Sequence, residues 1–174
     1  NKEQVITSQL KNVEVATAGR FKELDGATTV VTPLFSSSNE AMLVDKRVVQ
    51  FRNDPLALLT KYQPGTLSYP IAVRVTGAAK SAFPNGIVDK KGKKMPGHVA
   101  ESKQDIDVIA IADVDMLQGR FWVQLQDFYG QQIAYNTSDN INFLINAVDE
   151  MTGSDGLISV RSRAGYSRPF DRVL

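Results

Sequence analysis

Residues 105–132 read DIDVIAIADVDMLQGRFWVQLQDFYGQQ, and residues 138–163 continue as SDNINFLINAVDEMTGSDGLISVRSR. The apolar run Ile106–Ala112 ends in two carboxylates at i and i+2, Asp113 and Asp115. A continuous apolar run of strand length predicts a central strand covered on both faces. Leu117, Phe121, Leu125 and Phe128, with Trp122 beside them, predict an amphipathic helix after it. Ser138 or Asp139 is then a cap for a second helix, with Ile141, Leu144, Ile145 and Val148 on its core face and Gly153 at its end. Leu157–Arg163 alternates as a further strand. A strand ending in carboxylates and feeding a helix is the layout of an α/β protein, whose ligand crevices lie at the carboxyl ends of strands.

Upstream, residues 12–17 alternate as a short strand before a turn at Gly19. Ala27–Leu34 is β-branched, and Pro33 requires that strand to stop or to lie on an edge. Ser36-Ser37-Ser38-Asn39 is a polar turn or cap cluster. VDKRVVQF (residues 44–51) is compatible with a strand, whereas Asp54-Pro55 followed by spaced leucines predicts a short helix. Tyr69–Ala79 alternates most clearly, with Ile71, Val73 and Val75 on one face and Ala72, Arg74 and Thr76 on the other. Residues 83–104 form a long polar excursion in which Lys90, Lys91, Lys93 and Lys94 surround Gly92 without a phosphate-binding glycine pattern. The whole therefore reads as one α/β domain over residues 1–174, a sheet with flanking helices.

Composition excludes several chemistries. There is no cysteine, so disulfides, thiolate zinc sites and cysteine nucleophiles are removed together. The single histidine, His98, sits in the polar excursion, and no G-x-S-x-G elbow occurs. Twenty Lys and Arg against 19 Asp and Glu give no general drive toward nucleic acid or an anionic membrane. No apolar run approaches the roughly 18 residues of a membrane span. The chain begins without Met and stops abruptly after SRPFDRVL, which reads as a stretch cut from a longer protein.

Paired carboxylates remain. Asp113 and Asp115 at a strand end have the chemistry to hold a hard cation or to act as acid and base. Equally, Asp115 caps the next helix while Asp113 accepts from loop amides, and an Asn at 113 would keep an acceptor for them. The asparagines Asn136, Asn140, Asn142 and Asn146 divide in the same way between backbone bonding and a polar small ligand. Asp113, Asp115, Asn140 and Arg161 are the candidate binding residues; no catalytic residue, metal or cofactor is expected.

These residues also carry a family likeness. ADVDML, GRFWVQLQDFYGQ, the D-N-x-x-F-x-x-N-A-x-D segment from Asp139, the L-I-x-x-R-x-R run and SRPF together resemble the auxiliary component of uncharacterised ABC-type transport systems, the gliding-motility (GldG-like) type. The likeness is strongest over residues 105–172 and weaker over 11–38. The resemblance implies a layered α/β domain related to the class I glutamine amidotransferase fold, lacking its catalytic cysteine. It implies a non-catalytic binding or interaction domain on the periplasmic side of the inner membrane, anchored by transmembrane segments outside this stretch. Its partners would be the permease and other ABC-system subunits, with a polar small ligand as a further candidate. The alternative from another class is a degenerate or unusual hydrolase acting on a sugar or peptide through Asp113 and Asp115.

Overall fold

The computed structural model describes residues 4–51 and 54–153, so the expected strand Leu157–Arg163 and the candidate Arg161 lie outside the described residues. The architecture is mixed α/β with two small antiparallel sheets. The chain forms two compact units: one runs to Ala16 and resumes at Asp113, and the other is Thr17–Ala112.

In the second unit, β1 (Thr29–Ser36), β2 (Pro70–Gly77) and β3 (Ile106–Ile111) make a sheet in that order, antiparallel throughout. Val73 pairs with Pro33 on one side and Ala110 on the other. Pro33 therefore lies on an edge strand, where its missing N–H costs no ladder bond, and the register shifts between Pro33 and Phe35. The middle strand is β2, not β3. Ile71, Ala72 and Val73 are all buried, so both faces of β2 are covered at its start. Ile106–Ile111 was expected at the centre, yet among the described residues it is the other edge, with Val108 44% exposed. An apolar run alone does not distinguish a covered central strand from an edge strand. Across β2 and β3, Arg74 grips Asp107 with a two-pronged ion pair, Nε to Oδ1 at 2.9 Å and Nη2 to Oδ2 at 2.7 Å.

Between β1 and β2 lie α1 (Lys46–Phe51) and α2 (Pro55–Thr60). The first replaces the expected strand option for VDKRVVQF. The second is the expected helix: Asp54 Oδ1 accepts from the N–H groups of Leu56 and Ala57, and Pro55 occupies the first helical position. Residues 87–100 are exposed throughout, and their few fixed points include a turn in which Asp89 Oδ1 accepts from the Lys91 and Lys93 amides.

The first unit corrects two expectations. Residues 117–128 are not a helix: two 3-10 turns (Asp115–Leu117 and Gly119–Phe121) lead into a hairpin of β4 (Val123–Phe128) and β5 (Gln131–Asn136). Phe128 pairs with Gln131 across Tyr129 and Gly130, whose φ values are 53° and 80°. Two successive positive φ values define a type I′ turn, whose twist matches a two-residue hairpin. The spacing of Leu117, Phe121, Leu125 and Phe128 fits a helix by coincidence, and the hairpin chemistry at the turn overrides it. The second correction concerns α3 (Asn140–Met151), which buries Asn140, Phe143, Asn146 and Ala147. Ile145 and Val148, expected on its core face, are 38% and 54% exposed.

The edge position of β3 sets a measurable asymmetry. Val73→Lys, on the middle strand, is expected to cost several kcal/mol and unfold the second unit. Ile109→Lys, on a half-buried edge, is expected to cost about 1 to 2 kcal/mol. Comparable urea midpoints for the two variants would contradict the strand order.

Candidate functional site

The candidate residues Asp113, Asp115 and Asn140 come together in the first unit, around a stretch of chain that belongs to no sheet. Residues 11–16 run without regular secondary structure. The Lys11 and Asn12 amides donate to Asp139 Oδ2 at 2.8 and 3.2 Å. The Glu14 amide donates to Asn140 Oδ1 at 2.8 Å, and the Ala16 amide to Asp113 Oδ2 at 2.6 Å. In the reverse direction, the Asp139 amide donates to the Asn12 carbonyl at 2.7 Å, and Asn140 Nδ2 to the Glu14 carbonyl at 2.8 Å. Asn12 and Glu14 thus use both N–H and C=O, and the bonded amides recur at 12, 14 and 16. That is the two-residue repeat of a strand edge. Residues 12–17, expected as a short strand, form none; residues 12–16 keep a two-residue repeat of bonds in which side chains stand in for a partner strand.

Asn140 is the centre of this clasp. It is 1% exposed, and its amide meets four neighbours: the Glu14 N–H and C=O, the Met116 carbonyl at 2.8 Å, and the Ser138 hydroxyl at 2.9 Å. The Ser138 hydroxyl also lies 2.9 Å from the Phe121 carbonyl, so its one proton is shared between two acceptors. Only an amide supplies two donors and two acceptor lone pairs on one short side chain.

Asp113, 8% exposed, uses both oxygens on backbone: Oδ2 on Ala16 and Oδ1 on the Asp115 amide at 2.8 Å. This changes what Asn would do there. An amide has one oxygen, so its NH2 would face one of the two N–H donors, and Asp113→Asn is not the neutral exchange expected from sequence. Asp115 does not cap a helix. It opens a 3-10 turn, its carbonyl accepts from the Gln118 amide at 2.9 Å, and its Oδ1 accepts from Gln118 Nε2 at 2.6 Å.

Asp139 takes the position before α3, yet its carboxylate does not cap that helix; it reaches instead to Lys11 and Asn12, and Asn142 Nδ2 donates to its other oxygen at 2.8 Å. Burial raises the Asp139 pKa, but the hydrogen bonds from Lys11, Asn142 and Asn12 outweigh it, leaving the carboxyl below its ordinary value of 3.8. Asn146 Nδ2 donates to the Ile6 carbonyl at 3.1 Å, fixing the preceding turn of chain to α3. Asp139 and Asn146 are the members that sequence reading did not assign to binding. The signal was present, since Asp139, Asn140, Phe143, Asn146 and Ala147 are the named letters of the D-N-x-x-F-x-x-N-A segment, and four of them are the buried face of α3.

The arrangement is poor in free chemistry. The carboxylates of Asp113 and Asp139 are already occupied by amides, and no group of three or more His, Cys, Asp or Glu suited to a metal occurs among the described residues. A hard cation such as Ca²⁺ takes six to eight oxygens, which these residues do not offer. The lone imidazole of His98 packs against Gly86 in the exposed excursion, not here.

A family model described as an ABC-type uncharacterized transport system matches residues 1–147, most of the 174-residue chain. The chain belongs to that family and is an auxiliary component of an ABC-type transport system, which makes the other transporter subunits its partners. No curated protein and no solved structure matches it. No helix among the described residues is long and apolar enough to cross a membrane.

Two outcomes follow from the clasp. Asn140→Ala leaves the Glu14 and Met116 backbone groups without their partner and is expected to cost about 3 kcal/mol or more in urea unfolding. A loss below about 1 kcal/mol would contradict the central place given to Asn140. Because the folded Asp139 pKa is depressed, its contribution is full above the ordinary carboxylate value and is lost as pH falls through the folded one. The parent is therefore expected to lose stability below about pH 4, and Asp139→Asn to lose less over the same interval.

Proposed function

We propose that this chain is the non-catalytic, extracytoplasmic interaction domain of the auxiliary component of a gliding-motility-type ABC transport system. Family membership supports the transport role. The observation that carries the non-catalytic reading is the saturation of the acidic turn: Asp113 spends both oxygens on backbone amides and Asn140 is enclosed by four partners. A general acid or base needs a free lone pair or proton within reach of substrate. These groups instead hold chain.

The hydrolase alternative would need Asp113 and Asp115 to face a common substrate. Instead the Asp113 carboxylate accepts from the Ala16 and Asp115 amides and Asp115 Oδ1 accepts from Gln118 Nε2, which favours the interaction domain over the enzyme. The periplasmic placement and the inner-membrane anchor are part of this proposal, and so is the amidotransferase-like layered architecture. A sheet extended by parallel strands beyond β1-β2-β3 would satisfy that last point.

These 174 residues contain no cysteine, so once any cysteine elsewhere in the intact protein is replaced, a single introduced thiol reports the compartment of this domain. Tyr129, 94% exposed at the hairpin tip, is the position to replace. In cells whose outer membrane is permeabilised, Tyr129→Cys in the intact protein is expected to react with a membrane-impermeant maleimide. Labelling only after lysis would place the domain on the cytoplasmic side and overturn the proposal. On the catalytic side, sugar and peptide hydrolase panels should show no turnover; turnover abolished by Asp113→Asn would restore the enzyme reading.

A further inference from the structure

The second unit contains a groove of about 650 Å³ lined wholly by its own residues. That volume is within the roughly 300–1,000 Å³ of small-molecule sites. Its walls are pinned from three directions. The Gly19 amide donates to the Ala112 carbonyl at 2.7 Å and the Phe21 amide to the Pro70 carbonyl at 2.8 Å, which fixes the lip carrying Arg20 to the sheet. The Ser37 amide donates to the Tyr69 carbonyl and the Tyr69 amide to Ser37 Oγ, both at 2.9 Å. The third wall, from Ala41 to Val44, is approached so closely by Gly65 that a Cβ there would lie 2.5 Å from the Ala41 carbonyl oxygen. A concavity whose walls are held by their own hydrogen bonds needs little ordering when a ligand enters.

The lining is mainly apolar, with Met42, Leu43, Val49 and Ile71 among its side chains. Two cations, Arg20 and Lys46, line it, and among the described residues no carboxylate does. Glu40 and Asp45 bracket the Ala41–Val44 wall in sequence but are not part of the lining. Neither cation has an ion-pair partner among the described residues. The Arg20 guanidinium carbon lies 5.1 Å from the centre of the Tyr69 ring, a cation–π contact that consumes none of its N–H donors in an ion pair. In a chain with 20 cationic and 19 acidic residues, this one-signed lining is a local feature and not a reflection of net charge.

We propose that this groove binds an amphiphilic anion, a molecule with an apolar chain and one oxyanion head, through Arg20 and Lys46 at the head and Met42, Val49 and Ile71 along the chain. Carboxylate and phosphate heads share this chemistry, and the guanidinium edge accommodates either. The inference rests on the groove alone and does not depend on the compartment or partners proposed above.

The test is calorimetric titration of the 174-residue chain with decanoate and with decyl phosphate, both below their micellar range. Decyltrimethylammonium supplies the same chain with the opposite charge, and acetate the head without the chain. Saturable one-to-one binding of at least one anion is expected, with neither control binding. Which anion binds more tightly identifies the head. Arg20→Gln with Lys46→Gln, at two exposed positions, should weaken that affinity about tenfold or more while leaving the far-UV spectrum unchanged. Val49→Glu, which adds a carboxylate to the groove, should abolish it independently. Absence of binding by both anions, equal binding of the cationic amphiphile, or full affinity in the Gln/Gln or Glu variant would overturn the proposal.

Discussion

A backbone amide that leaves water has to find an acceptor, and among the described residues no strand pairs with the chain from Lys11 to Ala16 to provide one. For the part-buried Glu14 and Ala16 amides an unpaired N–H would cost about 1–3 kcal/mol. The acidic turn and the start of α3 meet that demand with side chains, in the order Asp139, Asn140, Asp113. Each acceptor is spoken for by two or more donors, so the members support one another and removal of one strands several backbone groups at once. Asp139 shows how strongly this constraint acts. Its carboxylate stands where a helix cap would be, yet it serves residues more than 120 positions away in sequence. The first unit is therefore closed by contacts between its two chain segments, before Ala16 and after Asp113.

The same constraint bears on function. Carboxylates and amides gathered at a strand end invite a catalytic or metal-binding interpretation, because the residue types are the same. Geometry separates the two cases. A catalytic pair directs its lone pairs at a shared point where substrate can sit, whereas Asp113 accepts from the Ala16 and Asp115 amides, and Asn140 accepts from the Glu14 amide and donates to the Met116 carbonyl. The groove beside Tyr69 is a different kind of place, with two cations that have no ion-pair partner among the described residues.

Much of this was readable from residues. Asp54-Pro55 announced α2 because cap chemistry is local, and the alternation in 70–77 announced β2 because one strand's period is local too. Pro33 announced an edge. What failed was non-local. Whether Ile106–Ile111 lies at the centre or the edge depends on which strands flank it, and its own composition does not encode that. The helix expected over Leu117–Phe128 failed because apolar spacing outweighed the Tyr129-Gly130 turn that follows it, where a non-glycine residue accepts φ of 53°. In α3 the apolar count pointed to Ile145 and Val148, while the buried face includes two asparagines, Asn140 and Asn146. A polar residue is buried when backbone elsewhere needs it, and hydrophobic periodicity has no term for that need. The residues carrying the family likeness in this helix located its buried face where periodicity did not.

The central claim is that side chains replace a partner strand for residues 11–16. Amide hydrogen exchange, read residue by residue by NMR, tests it without any substitution. The Asn12, Glu14 and Ala16 amides are predicted to exchange far more slowly than free peptide although they belong to no helix or strand. Their opening should follow that of the Phe143 amide in α3, since one cooperative unit holds both. Exchange of all three at the rate of an unstructured chain, with α3 still protected, would contradict the account.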